Sequence, residues 1–325
     1  MSLCIEPEND DLTTNAIVLD LNVLRLIMAA ATVDDSRTVV RRLPLVSMDI
    51  RQWTEPIAYR NVIISGLCQM KSFARCALAR SERDPAFYHA NVKSLELRMG
   101  AYESEYIPGH SANTILRFCS GLHALRILVS GSLPDDNKIE FLNLADQHTQ
   151  LKVFSTDLTS LSVGLCAPTL THIVLNVDDE GRPLMDRNVW ARILRQVPHL
   201  RLIGLHSVRA AYREFHSVCG ILRALFTEQG GILPNRVIPV IVRLPATISE
   251  AAASSVVDNP EWNSNIIIIP WGLRDENRQF WTERKRARPE GIYLESDDEA
   301  SAERCPWELP HFSLWDRVLE WAKDN

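Results

Sequence analysis

A recurrence restricts this chain more than any single motif. Seven short apolar segments, "SLELR" at 94 to 98, "LRILV" at 125 to 129, "LKVFS" at 151 to 155, "LTHIVLN" at 170 to 176, "LRLIGLH" at 200 to 206, "VIPVIVRL" at 237 to 244 and "NIIIIPW" at 265 to 271, begin 31, 26, 19, 30, 37 and 28 residues apart. Each has the branched, apolar character of a strand and is followed by turn residues and usually by a helix-forming stretch. A β-then-α unit repeated at such a period predicts parallel strands joined by helices. The spacing suits an irregular leucine-rich-repeat solenoid, in which a unit buries its apolar face only against its neighbours. Two stretches even align with one another: "TILRFCSGLHALRIL" at 114 to 128 and "WARILRQVPHLRLIG" at 190 to 204 run from a helix into a strand through similar junctions. The unalternating "IIIIP" reads as a strand covered on both faces.

The two ends of the chain differ from this middle. An amphipathic pattern with Leu21, Leu24, Met28 and Ala31 on one side spans 18 to 31, with Asp20 placed as an N-cap, and two further short helices are expected before Pro56. A proline pushes the residue before it out of the α region, so the last of these helices should end near Thr54 and an extended segment should begin at Ile57. Near the other end, Arg284, Lys285, Arg286 and Arg288 precede "ESDDEASAE", a composition of charged, solvated chain. "FSLWDRVLEWAKDN" then has Leu314, Val318 and Trp321 on one helical face, suited to cover the last open strand edge. The expected organisation is a mobile tail over 1–16, a helical module over 17–56, the repeats over 57–281, a charged mobile insertion over 282–310 and a C-terminal helix over 311–325. The fold class is therefore α/β.

The chain's 325 residues, 46% hydrophobic, supply ample core material, while a net charge of -6 gives no general basic footprint for nucleic acid. Seven scattered cysteines argue against a disulfide framework or a zinc site, and the acidic start lacks the basic-then-apolar order of a signal peptide. With no apolar run of transmembrane length, an intracellular location, cytoplasm or nucleus, is expected and no membrane partner. Walker loops, G-x-G-x-x-G, G-x-S-x-G and H-E-x-x-H are all missing. No catalytic residue, metal or cofactor is therefore assigned, and the chain is read as non-enzymatic. His172, His199 and His206 do not share the spacing of a metal site, and Asp178-Asp179-Glu180 lacks the alternating ligands of a calcium loop. The basic run at 284 to 288 matches the composition of an import signal, and Ser296 precedes acidic residues as a phosphorylation site would. Composition alone produces many such matches.

One stretch carries a more specific pattern. "VLRLIM" at 23 to 28, followed by "LVSMDIRQWTEPIAYRNVII" at 45 to 64, resembles the N-terminal module of fungal F-box-like proteins, in which the helices end in L-V-S-x-x-x-R-x-W-x-x-P-x-x-Y-R. The matching residues are Leu45, Val46, Ser47, Arg51, Trp53, Pro56, Tyr59 and Arg60, and the degenerate leucine-rich repeats that follow the module in that family are similar to the segments above. The resemblance implies that the chain is the substrate receptor of an SCF-type cullin-RING ubiquitin ligase. It implies an adaptor-facing surface of Leu19, Leu24, Ile27, Leu45 and Val46, and a structural role for Trp53, Pro56, Tyr59 and Arg60. A protein substrate would then lie on exposed strand positions, for which Arg98, His172, Asn176, His206 and Arg243 are the candidates. The family usually opens its first helix with L-P-x-E, whereas this chain has Leu19-Asp20-Leu21-Asn22. That departure keeps a second reading open: a non-catalytic repeat scaffold for protein–protein interaction, with the helical module serving only as a cap.

Overall fold

Parallel strands need a crossover between every pair, and the helix-like segments that usually follow the strand-like ones supply most of them. A computed structural model of the chain describes residues 48–100, 108–130, 148–157, 169–177, 187–207, 212–226, 238–259 and 266–294, together with residues 318, 320 and 321. The chain falls into two compact units, Met1–Ala58 and Tyr59–Asn325.

In the first unit one helix is described, α1 (Met48–Ala58), and it contains Pro56. The helix therefore passes the point where the proline was expected to end it, and the extended backbone expected from Ile57 starts only at Asn61. The physical reason is position. A proline in a helix deletes one N–H bond and crowds the carbonyl four residues back; here it stands two residues before the end at Ala58, so the helix forfeits that bond and stops within the turn instead of at Thr54. Thr54 tightens the same turn, its hydroxyl donating to the Ile50 carbonyl at 2.8 Å, and Arg51 and Glu55 pair one turn apart at 3.6 Å.

In the second unit the chain opens with β1 (Asn61–Ser65), α2 (Gly66–Ser81), α3 (Phe87–Asn91) and β2 (Ser94–Gly100). It continues through α4 (Pro108–Phe118), β3 (Ala124–Ser130), β4 (Val153–Asp157), β5 (His172–Val177), α5 (Arg187–Gln196) and β6 (Leu202–Ser207). The last elements are α6 (Tyr212–Phe226), β7 (Val240–Pro245), α7 (Glu250–Val257), β8 (Ile266–Trp271) and α8 (Asp275–Ala287). All seven apolar segments form strands, and Asn61–Ser65 forms an eighth. The strands make one parallel sheet in the order β1 to β8, open because β1 and β8 lie at its two ends.

Sequential order and a single crossover hand put the crossover helices on one face of a parallel sheet, and the packing of α2 to α8 agrees. In-register rows run across that face: Val62, Leu95, Leu125, Phe154, Ile173, Ile203, Val240 and Ile266 in one, Ile64, Leu97, Ile127, Thr156, Leu175, Leu205, Val242 and Ile268 in the next. All but Val62 and Thr156 belong to one buried apolar cluster with residues from α2 through α8, and Val62 packs against it. Trp190 of α5 and Trp281 of α8 are fully buried there. Helical periodicity supplied one side of this interface and strand alternation the other, so the core is a slab between the sheet and a single layer of helices.

The far end departs from the expected organisation. Residues 282–287 continue α8 instead of opening a mobile insertion. Arg284 reaches both carboxylate oxygens of Asp258 at 2.7 and 2.6 Å and Ser254 Oγ at 2.7 Å, tying α8 to α7. Arg288 donates to the carbonyls of Val257 at 3.1 Å and Ile266 at 2.8 Å, and burial lowers its pKa. The basic run thus supplies positive charge to a helix C-terminus and donors to otherwise open carbonyls. The outer edge of β8 is met by residues 291–293, with Ile292 bridging Ile268, Ile268 donating to Gly291 at 2.8 Å and Tyr293 donating to Ile268 at 2.9 Å. Covering that edge was the job expected of the C-terminal helix. Val318 and Trp321 instead pack on the sheet's second face, with Val174, Leu202, Ile241, Ile267 and Ile269. The tail 1–16 and most of 295–325 lie outside the described residues, and among the described residues no helix is long and apolar enough to cross a membrane.

Two substitutions test this packing. Gly121, in the turn after α4, faces the His89 carbonyl so closely that an added Cβ would meet its oxygen at 2.0 Å. Gly121→Ala is expected to cost about 2–4 kcal/mol in denaturant unfolding, because backbone must move to admit the methyl. Thr156 is fully buried in a row of aliphatic side chains, its hydroxyl without a hydrogen-bond partner. Thr156→Val keeps the shape, removes the desolvated hydroxyl and should raise stability by about 1 kcal/mol in the same assay.

Candidate functional site

The sheet face turned away from the helices gathers the polar strand residues. Strand alternation sends residues 94, 96 and 98 of β2, 172, 174 and 176 of β5 and 202, 204 and 206 of β6 to this side. A row runs in register through Ile63, Glu96, Arg126, Ser155, Val174, Gly204, Ile241 and Ile267. Beside it, Asn176, His206 and Arg243 stand in register on β5, β6 and β7, leading to Ile269 on β8. The face is therefore graded: charged and polar from β2 to β4, mixed at β5 to β7, and aliphatic at β8 under Val318 and Trp321.

At the polar end Glu96, only 6% exposed, is held between two guanidinium groups. Arg98 on the same strand bonds one carboxylate oxygen through Nε, and Arg126 Nη1 on the next strand lies 3.4 Å from the other. A carboxylate this buried needs such pairing. In the middle of the face, Trp271 anchors the Asn176–His206–Arg243 row. Its indole Nε1 donates to the Ser207 carbonyl at 3.1 Å, its ring meets the His206 ring edge-on at 5.9 Å between centroids, and the Arg243 guanidinium lies 5.9 Å from its centroid. Burial first, and then the Arg243 and Arg126 cations, push the His206 pKa down to about 3. The imidazole is thus neutral at neutral pH, presenting one donor and one acceptor. Ser155 Oγ, Asn176 Oδ1 and His206 Nδ1 are buried without a hydrogen-bond partner. A neutral imidazole, an amide and a hydroxyl, set beside two arginines, can orient a polar ligand group by hydrogen bonds.

All five strand positions singled out from sequence, Arg98, His172, Asn176, His206 and Arg243, fall on this face. Asn176, His206 and Arg243 form one row. His172 stands four residues back on its strand, its Nδ1 against Thr171 Oγ1 at 2.7 Å, and Arg98 joins the Glu96 network at the far end. Glu96, Arg126 and Ser155 were not singled out, although "SLELR" alternates so that Glu96 must share a face with Arg98. The adaptor-facing candidates Leu19, Leu24, Ile27, Leu45 and Val46 lie outside the described residues. Trp53 and Pro56 belong to α1. Tyr59 and Arg60 open the second unit, where Tyr59 packs edge-on against Phe87 and Tyr88 at 5.3 and 5.5 Å. Among the described residues no group of three or more His, Cys, Asp or Glu side chains is placed to hold a metal ion.

The depressed histidines set a pH response. His148 is 1% exposed, and burial pushes its pKa down to about 4. For a histidine whose folded pKa lies below the ordinary 6.5, only the unfolded chain takes up the proton as pH falls from 6.5 towards the folded value, so stability drops across that window. Urea unfolding of the wild type should lose stability between pH 7 and pH 4, and His206→Gln should recover roughly 2 kcal/mol of the loss after allowing for solvent screening. Equal slopes in the two proteins would refute the assigned shift. No protein-family model matches this chain, and no curated protein matches it.

Proposed function

We propose that this chain is the substrate-recognition subunit of an SCF-type cullin-RING ubiquitin ligase. In this reading the N-terminal residues form an F-box-like module that binds the adaptor through Leu19, Leu24, Ile27, Leu45 and Val46. The sheet and its helices form a leucine-rich-repeat solenoid, and its helix-free face, with Asn176, His206 and Arg243 at its middle, holds a protein substrate. The observation that carries the reading is the juxtaposition in one chain of the F-box-like pattern ending at Arg60 with eight parallel strands in strictly sequential order starting at Asn61. Sequential order with the crossover helices on one side leaves the other side of the sheet, outside the part under Val318 and Trp321, as surface for a macromolecule, and repeat proteins use such surfaces for binding.

The chain does no covalent chemistry in this mechanism. It holds a target lysine near a charged ubiquitin-conjugating enzyme and so raises the effective concentration of one reactant at the other. The Ser155, Asn176 and His206 groups supply orientation, since an unpaired buried polar atom discriminates against any partner that fails to satisfy it.

The second reading, a non-catalytic scaffold for protein–protein interaction, is favoured by Asp20, which stands where the family places proline. A carboxylate brought unpaired into an apolar adaptor surface costs binding energy. Co-expression with the fungal adaptor followed by size-exclusion chromatography separates the two. The receptor is expected to co-elute with the adaptor, and Leu24→Asp to abolish co-elution with the melting temperature unchanged. Separate elution of a folded wild-type chain would leave the scaffold.

A further inference from the structure

The junctions that lead into the strands repeat one backbone arrangement, and that arrangement stacks cations. The carbonyl of Arg60 accepts the N–H groups of Lys93 and Ser94 at 2.9 and 3.0 Å; the carbonyl of Lys93 accepts those of His123 and Ala124 at 2.8 and 3.1 Å. His123 does the same for Lys152 and Val153, Lys152 for Thr171 and His172, and Thr171 for Arg201 and Leu202. Six equivalent positions are thereby locked in register along the N-terminal edge of the sheet: Arg60, Lys93, His123, Lys152, Thr171 and Arg201. Lys, Arg and His number 35 and 9 among 325 residues, so composition alone would make about one of six positions basic; five are.

The row does not neutralise itself. Among the described residues no carboxylate pairs with Arg60, Lys93, Lys152 or Arg201. Lys93 Nζ has only the carbonyls of His89 and Gly121, each at 3.4 Å, and His123 Nε2 meets the neutral Gln150 at 3.2 Å. Burial first, and then the charges of Lys93, Lys152 and Arg60, lower the His123 pKa, while its hydrogen bond to Gln150 opposes them, which places all three cations within reach of His123. Like charges in directly opposed ladder positions repel, and an acidic chain of net charge -6 has many carboxylates with which to relieve them.

We infer that this basic rim is a docking strip for an acidic, extended polypeptide segment. At the strand spacing of about 4.8 Å, six positions span about 24 Å, the length of roughly seven extended residues. Arg60, Lys152 and Arg201 are exposed, so they can meet Asp or Glu side chains with no rearrangement of the fold. A nucleic acid strand fits less well: none of the six positions is Phe, Tyr or Trp to stack a base, and the acidic remainder of the chain repels a polyanion longer than the strip. The strip lies at the strand starts, outside the polar face assigned to the substrate above, and it stands whether or not the adaptor binds.

The test uses the full chain and a fluorescein-labelled Glu-rich peptide of about eight residues, read by anisotropy, with the Gln counterpart as the neutral control. The acidic peptide is expected to bind, to weaken steeply between low and physiological salt, and to lose about tenfold in affinity on combined Lys152→Glu and Arg201→Glu substitution with the melting temperature unchanged. Lys71→Glu with Arg75→Glu, reversing two exposed cations of α2, should leave affinity within about twofold. Equal loss in this control, no binding of the acidic peptide, or preference for a single-stranded oligonucleotide or an anionic lipid vesicle would each overturn the inference.

Discussion

The pairing of each strand with the one that precedes it in sequence is the constraint on which the second unit rests. A parallel strand must wait for the chain to return, and here every return lands on the next position along. The doubled bonds at Arg60, Lys93, His123, Lys152 and Thr171 fix that landing. Two N–H groups on one carbonyl leave no freedom to slip by a residue, and a slip of one would turn every aliphatic row to the wrong face. From β1 to β6, register and the placement of side chains on the polar face follow from one repeated junction.

Much of this was legible because strand and helix periods are explicit in the sequence. "LRILV" and "LRLIGLH" announce strands by branched and aliphatic residues in short runs, and "WARILRQ" announces the buried face of α5 through Trp190, Ile193 and Leu194. Pro56 misled because the restriction it places on Glu55 is a bias and not a bar, and the helix runs two residues past the proline before it ends at Ala58. Arg284 and Arg288 misled for a related reason: composition marks a basic run as solvated, whereas their partners, Asp258 and the carbonyls of Val257 and Ile266, are distant in sequence and invisible to any window. Val318 and Trp321 were correctly placed on one apolar helical face, but amphipathicity does not say which surface that face will meet.

The polar face shows the same division. Alternation was enough to put Asn176, His206 and Arg243 on the outward side of their strands, because period two is exact within a strand. Their alignment into one row depends on strand-to-strand register, which no single strand encodes. Glu96 illustrates the energetic side. A carboxylate in the middle of "SLELR" reads as solvent-facing, yet it is buried, and only the guanidinium groups of Arg98 and Arg126 make that tolerable. The cross-strand partner, thirty residues away at Arg126, is the part sequence reading lacks.

The helix-free face also carries a conflict that bears on how it is used. Its β5 to β8 end is sealed by Val318 and Trp321, with Trp321 stacked edge-on against Tyr293 at 5.4 Å and Lys285 Nζ 5.8 Å from its ring. A ligand approaching His206 and Arg243 therefore meets the C-terminal residues as a wall on one side and the Glu96 network on the other. The cap packs on Val174, Leu202 and Ile241, on the same strands that carry Asn176, His206 and Arg243, so the polar row lies directly beside the apolar cover. That adjacency favours a partner presenting a narrow polar ridge over one presenting a flat apolar surface, because the aliphatic part of the face already has its cover and the unpaired groups at Ser155, Asn176 and His206 are what remains to be satisfied.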